Sequence, residues 1–316
     1  MSDTPNPNPN PNPIRIQCVD FWRMENSWLD KPFVRLLRSH FNLVWDADNP
    51  QFVLYSVFGE EFRRYSCTRI LYTGENVRPN WNECDYAFSF DYPTNGRNFR
   101  LPLYRFDNDY DALYQARDIE PLLAGKTRFC NFIYSNARAK ERLRFLDALN
   151  EYRAVDCGGR LRNNVGAITW ADKIAFQREC KFTIAFENSS HPGYTTEKIV
   201  HAFAAGTVPI YWGNPRIAEE FNPEAFVNCH EFENFDQVVR RVAEIDQDDG
   251  QYRRMLVAPA FRDNREPDAL KEEAIVARFK AIFEGGQRFI TPSRLDRTRW
   301  RFFRMRRKWD GFCRSR

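Results

Sequence analysis

Much that would settle a function at once is missing from these 316 residues. The eight cysteines (Cys18, Cys67, Cys84, Cys130, Cys157, Cys180, Cys229 and Cys313) are scattered, with no CxxC pair and no Cys/His cluster. That argues against structural zinc and against a disulfide scaffold. Histidine is scarce, and His191, His201 and His230 stand too far apart in sequence to suggest a ligand set. No apolar run approaches the roughly 18 residues of a membrane span, and no secretory signal opens the chain. The expectation is a soluble protein of a reducing compartment, hence cytoplasmic. One-signed charge is also lacking over most of the length. Residues 288–316 hold eleven Arg and Lys against Asp296 and Asp310, a balance of +9, which leaves the rest at −5 of the total +4. A mildly acidic body excludes general nucleic-acid binding.

What is there begins with "TPNPNPNPNPNP". Proline fixes φ and removes donors while asparagine has nothing to bury, so residues 1–13 read as a disordered leader. From Ile14 strands and helices alternate. "IRIQCVDF", "FNLVW", "QFVLYSVF", "RILYT" and "DYAFSF" read as strands and "DKPFVRLLRSHF" as a helix. The polar stretch "YRFDNDYDALYQARDIEPLLAGK" reads as a domain connection. A second alternating block follows, with "RFCNFIYSN", "KFTIAFE" and "TVPIYWG" as strands and "ARAKERLRFLDALNEY" and "TEKIVHAFAAG" as helices. The pattern predicts an α/β chain of two Rossmann-like domains facing each other across a cleft, residues 14–122 and 123–287, followed by a tail, 288–316.

Within "FENSSHPGYTTEKI" the chain passes from a strand through a turn-rich loop to a helix start, which Thr195 or Thr196 can cap. Glu197 suits that end, whereas Lys198 opposes the partial positive charge there. A bound diphosphate would resolve the conflict, because a helix N-terminus offers unpaired N–H groups to phosphate. Tyr194 and Lys198, four apart, would share a face, and Glu197 would point about 100° away toward sugar hydroxyls. A merely solvated surface helix is the bland alternative. "DAD" at 46–48, "DND" at 107–109 and "DQD" at 246–248 fit a weak metal-binding pattern, but none follows a convincing strand. They read as solvated turns, with no metal and no obligatory cofactor expected.

"FENSSHPGYTTEKI" with "AAGTVPIYWGNP" resembles the donor-site signature of the α-1,3-fucosyltransferases, in its bacterial form. The likeness runs from about Ile14 to Glu284. It implies a GT-B-like fold, GDP-fucose as donor and transfer to the 3-hydroxyl of N-acetylglucosamine in N-acetyllactosamine-type glycans, giving Lewis-type products. "ILYTGENVRPNWNECDYAFSF" is similar to the family's acceptor-domain segment, and its Glu75 is then the implied general base. On the helix at 132–159 the resemblance implies a diphosphate-holding arginine, nearest Arg142, with Arg138 and Arg144 close in register. Asn188 corresponds to a donor-contacting position. The first domain would bind acceptor and the second GDP-fucose. The tail interleaves Trp300, Phe303 and Phe312 with arginines and reads as a basic amphipathic helix for an anionic membrane surface, peripheral on the inner face, with docking on the acidic body or binding of nucleic acid as its alternatives. Two alternatives stay open: a transferase of another GDP-sugar, and a non-catalytic membrane or glycan-binding protein on the same scaffold.

Overall fold

Six short strands make one wholly parallel sheet in the computed structural model, which describes residues 12–22, 32–115 and 117–290. They are β1 (Ile14–Val19), β2 (Leu43–Trp45), β3 (Phe52–Tyr55), β4 (Thr68–Tyr72), β5 (Tyr86–Ser89) and β6 (Asn98–Arg100), in the order β2-β1-β3-β4-β5-β6. Helix α1 (Pro32–His40) follows β1. All four residues of β3 are buried, as a parallel sheet requires, so its sequence is continuously apolar rather than alternating. The order reverses between β1 and β3, with Ile16 opposite Phe52.

The second sheet is also parallel. Strands β7 (Arg128–Phe132), β8 (Asp156–Cys157), β9 (Cys180–Phe186), β10 (Val208–Trp212) and β11 (Val227–Asn228) lie in the order β11-β10-β9-β7-β8. Around them run α2 (Ile119–Ala124), α3 (Lys140–Tyr152), α4 (Lys173–Arg178), α5 (Glu197–Ala204), α6 (Phe235–Gln247) and α7 (Asp249–Val257). Phe145 of α3 stacks on Phe186 of β9 at 4.9 Å between ring centres. Burying each such ring contributes about 1.5–3 kcal/mol.

The chain divides into two units, but not at the expected boundaries. Pro102–Pro267 form one, and the described residues up to Leu101 form the other together with those from Asp268 on. Helix α8 (Glu272–Gly285) therefore returns to the first sheet. Its Phe279 lies flat on Phe88 at 4.0 Å, and Phe283 meets Phe41 and Phe52. The backbone N–H groups of Phe289 and Ile290 donate to Asp85 at 2.7 and 3.0 Å, so the tail begins three residues later than its charge suggests. Residues 291–316 and 1–11, where the amphipathic helix and most of the Asn-Pro leader were expected, lie outside the described residues.

The expected connection at 104–126 is part of the second unit. Tyr104 is fully buried and donates to Glu220 at 2.8 Å, and Arg117 donates to the Leu256 and Phe203 carbonyls. Its polarity serves internal hydrogen bonds rather than water. Two of the three acidic triplets differ from solvated turns for the same reason. Asp246 pairs with Lys181 at 2.6 Å and Arg153 at 2.9 Å, while Asp248 caps α7. Asp107 meets His201 at 3.1 Å. Asp46 heads a turn of the expected kind, accepting from Asp48 and Asn49, and Asp107 also accepts from Asp109 N. Among the described residues no helix is long and apolar enough to cross a membrane.

Candidate functional site

In the second sheet the order reverses between β7 and β9, and the carboxyl ends of neighbouring strands there open a crevice. The loop after β7 supplies Tyr134 and Asn136, the loop after β8 supplies Gly159 and Arg160, and the loop after β9 supplies Asn188. With Trp170, Lys173, Glu197 and Lys198 these line a cavity of about 580 Å³, within the range of small-molecule sites. Its charged lining residues are Arg142, Arg160, Lys173 and Lys198 against the single carboxylate of Glu197. That excess of three positive charges suits an anion.

Arg142 is the best-anchored of these. It is 1% exposed, and its Nε and Nη2 donate to the Phe186 carbonyl at 3.0 and 2.7 Å. Nη2 also donates to Asn188 Oδ1 at 2.8 Å. The guanidinium lies over the Tyr134 ring at 4.0 Å. Tyr134 is itself pinned to β9, donating to the Ile184 carbonyl and accepting from the Phe186 N–H. Among the described residues nothing accepts from Arg142 Nη1. A rigid guanidinium with a face still to satisfy is well made for a phosphate. Arg138 and Arg144 are exposed and do not line the cavity, and Arg144 turns to Glu141. Of the three arginines, Arg142 alone lines the cavity.

Lys198 has the partner that its sequence position demands, and the partner is the protein's own. Glu187, fully buried at the end of β9, lies 3.1 Å from Nζ, and Glu197 lies 3.2 Å away. Burial disfavours the ammonium, but Glu187 and then Glu197 outweigh it and hold its pKa above the usual lysine value. Burial likewise disfavours ionised Glu197, yet Lys198 and Lys173 bring its pKa down to about 2. Thr196 is the N-cap residue but makes no side-chain cap bond. Its hydroxyl donates to Glu187 Oε2 and accepts from Lys198, both at 2.7 Å. Glu187 takes over capping from outside the helix, accepting the Thr196 N–H at 2.7 Å. Sequence reasoning passed over Glu187; an acidic residue ending a buried strand nine residues before a helix cap was its signal.

Tyr194 does not reach the cavity. The helix begins at Glu197, so the shared face with Lys198 does not exist, and Tyr194 is 1% exposed beneath the loop. That loop is shaped by Asn214, whose Oδ1 accepts from Gly193 N at 2.7 Å. Gly193 sits at φ 87°, a conformation that favours glycine. Gly159 is needed for a different reason: a Cβ there would stand 2.3 Å from the Tyr134 carbonyl oxygen.

His201, expected to be dispersed, joins Asp107 and Asp109 in a group whose ligand-type atoms all lie within 4.8 Å. Its other nitrogen, Nδ1, is 2.8 Å from Lys173 Nζ. An ammonium can only donate, so Nδ1 accepts and the ring proton sits on Nε2, facing Asp107. A protonated Nε2 cannot hold a metal, and the chemistry of the donor set therefore fits a hydrogen-bond chain better than an ion.

Glu75 belongs to the first unit, three residues beyond β4, at the carboxyl edge of its sheet. It is half-buried. Its backbone is held by Thr73, which is itself fully buried: Glu75 N donates to Thr73 Oγ1 at 3.1 Å, and Thr73 N donates to the Phe88 carbonyl at 3.1 Å.

Comparison with known proteins gives a consistent set of likenesses. Residues 16–107 match the alpha-(1,3)-fucosyltransferase FucT N-terminal domain, and residues 123–263 match the C-terminal domain of glycosyltransferase family 10 (fucosyltransferase). The chain is 38% identical over 208 residues to the alpha-(1,3)-fucosyltransferase FucT of Helicobacter pylori, covering 54% of this chain and 42% of that protein. It thus spans under half the length of that curated relative. A crystal structure of an alpha1,3-fucosyltransferase is similar at 31% identity and a TM-score of 0.77, over 88% of this chain and 92% of that one. One with GDP-fucose is similar at 29% identity and a TM-score of 0.76, over 91% and 94%.

Proposed function

Because the chain belongs to glycosyltransferase family 10, the fucosyltransferases, we propose that it moves L-fucose from GDP-fucose to the 3-hydroxyl of N-acetylglucosamine in an N-acetyllactosamine-type glycan. The observation that carries this reading is the cavity beside Arg142, with its excess of positive charge at the sheet's reversal point. The donor's two phosphates bring two negative charges to it. Arg142 and Lys198 would stabilise the charge that grows on GDP as the sugar leaves. Asn188 would fix the arginine, and Glu197 would accept from ribose or sugar hydroxyls. In the first unit Glu75 would take the proton from the attacking hydroxyl, and attack opposite the leaving GDP would invert the anomeric configuration.

Incubation with GDP-fucose and a panel of type 1 and type 2 glycans, followed by linkage analysis, tests the reading. The expected product is α-1,3-fucosylated, formed at an unchanged rate in EDTA because side chains supply the cationic charge. A rate abolished by the chelator would remove that mechanism, and a preference for GDP-mannose in competition would move the donor assignment. The products would be Lewis-type determinants of the kind borne on lipopolysaccharide.

The basic aromatic tail supports peripheral binding to an anionic membrane. Truncation after Ile290, which keeps the Asp85 hydrogen bonds, is expected to leave transfer to a soluble acceptor unchanged and to abolish co-sedimentation with anionic vesicles. Vesicle binding that survives the truncation would remove the tail's assignment.

A further inference from the structure

Lys173 is one of two cavity cations, with Arg160, that the reading above leaves idle, and it is the buried one of the two. It opens α4, is 9% exposed, and lines the cavity beside Trp170 and Glu197. One of its three N–H donors goes to His201 Nδ1 at 2.8 Å, and His201 Nε2 in turn faces Asp107 Oδ2 at 3.1 Å. Among the described residues nothing accepts from the other two. Its ammonium stands 4.9 Å from the Trp170 ring, which is 70% exposed. Lys173, His201 and Asp107 come from three separate elements, and their alignment leaves the lysine's unused donors beside a cavity built for an anion.

We propose that Lys173 is a further donor-binding residue, held by the His201–Asp107 pair, and that arrival of the anionic nucleotide-sugar fixes a proton on it. This rests on the assignment of the cavity to GDP-fucose. The physical reason is charge regulation. Burial is the largest influence on the free lysine and lowers its pKa to about 8. Facing it are Glu197, Lys198 and His201 from α5 and Asp107 and Asp109 from the segment that follows β6, in the same unit as Lys173; Glu197, Asp107 and Asp109 favour its charge and Lys198 opposes it. A diphosphate in the cavity would add two negative charges at short range and raise the pKa, so the complex binds more protons than its parts. Donor affinity is therefore greatest below pH 8 and falls as pH rises past it.

Isothermal titration of the full chain with GDP-fucose, in buffers of different ionisation enthalpy, counts those protons directly. The phosphates of the donor each carry a single strong acid and do not titrate in this range. Expected uptake is close to zero at pH 6.5 and about half a proton per donor at pH 8, where the free lysine is half deprotonated. Lys173→Arg, which cannot lose its proton, is expected to bind the donor with no uptake at either pH. Lys173→Met is expected to weaken binding roughly tenfold to a hundredfold at pH 6.5, the usual cost of a lost charged hydrogen bond. Binding by the unaltered chain without uptake at pH 8, uptake that persists in Lys173→Arg, or full-strength binding by Lys173→Met would each overturn the proposal. Absence of GDP-fucose binding altogether would overturn the cavity's assignment, and this inference with it.

Discussion

Glu75→Gln is expected to bind GDP-fucose with unchanged affinity and to lose roughly a hundredfold to ten-thousandfold in kcat. The asymmetry follows from where the residue sits. The lining of the proposed donor cavity comes from Pro102–Pro267 alone, and Glu75 belongs to the other unit, so the substitution leaves every lining residue unaltered. The backbone of Glu75 is held by the Thr73 hydroxyl, and Val77 N donates to the Glu75 carbonyl at 2.6 Å, bonds that glutamine retains. What glutamine lacks is a carboxylate to receive the hydroxyl proton. Rescue of the rate by a small exogenous carboxylate in a Glu75→Ala variant would give the complementary signature. A wild-type kcat in Glu75→Gln would remove the base assignment.

The sequence carried the sheets better than the units. "KFTIAFE" and "QFVLYSVF" are long apolar runs whose strand character is local, and β9 and β3 appear where those runs lie. β6, β8 and β11 span only two or three residues and exist because a longer neighbour pairs with them, so no local pattern announces them. The return of α8 to the first sheet is a tertiary event: Ile275, Phe279 and Ile282 mark a helix with one buried face but not the surface it will cover. In the cavity, Lys198 was legible as a charge out of place, yet Glu187 was needed to understand it. Tyr194 was misplaced because the helix starts at Glu197 rather than a turn earlier. The His201–Asp107 pair joins residues 94 positions apart, a link that spacing cannot reveal.

Lys198→Met is expected to do two things that a second substitution can separate. The first is structural. Glu187 has no exposed surface, and its carboxylate accepts the Thr196 N–H and hydroxyl while facing the ammonium at 3.1 Å. Removing the cation leaves a buried charge without its counter-ion, at a cost of about 3–5 kcal/mol. In a unit of this size that lowers the unfolding midpoint by roughly 6–20 °C. The second effect is on the ligand, because the cavity loses one of its four lining cations; GDP affinity is expected to fall about a hundredfold. Replacing both partners, Lys198→Met with Glu187→Gln, removes the buried charge along with its partner and should recover most of the midpoint, since a neutral amide can still accept the Thr196 N–H. Donor affinity should stay low in that double variant, because net charge is restored behind the cavity and not within it. Calorimetric titration with GDP beside a thermal melt reads both quantities on the same protein. If the double variant regained full GDP affinity, the lysine would serve only to neutralise Glu187. Its place in the opening turn of α5 would then be explained without any anion in the cavity.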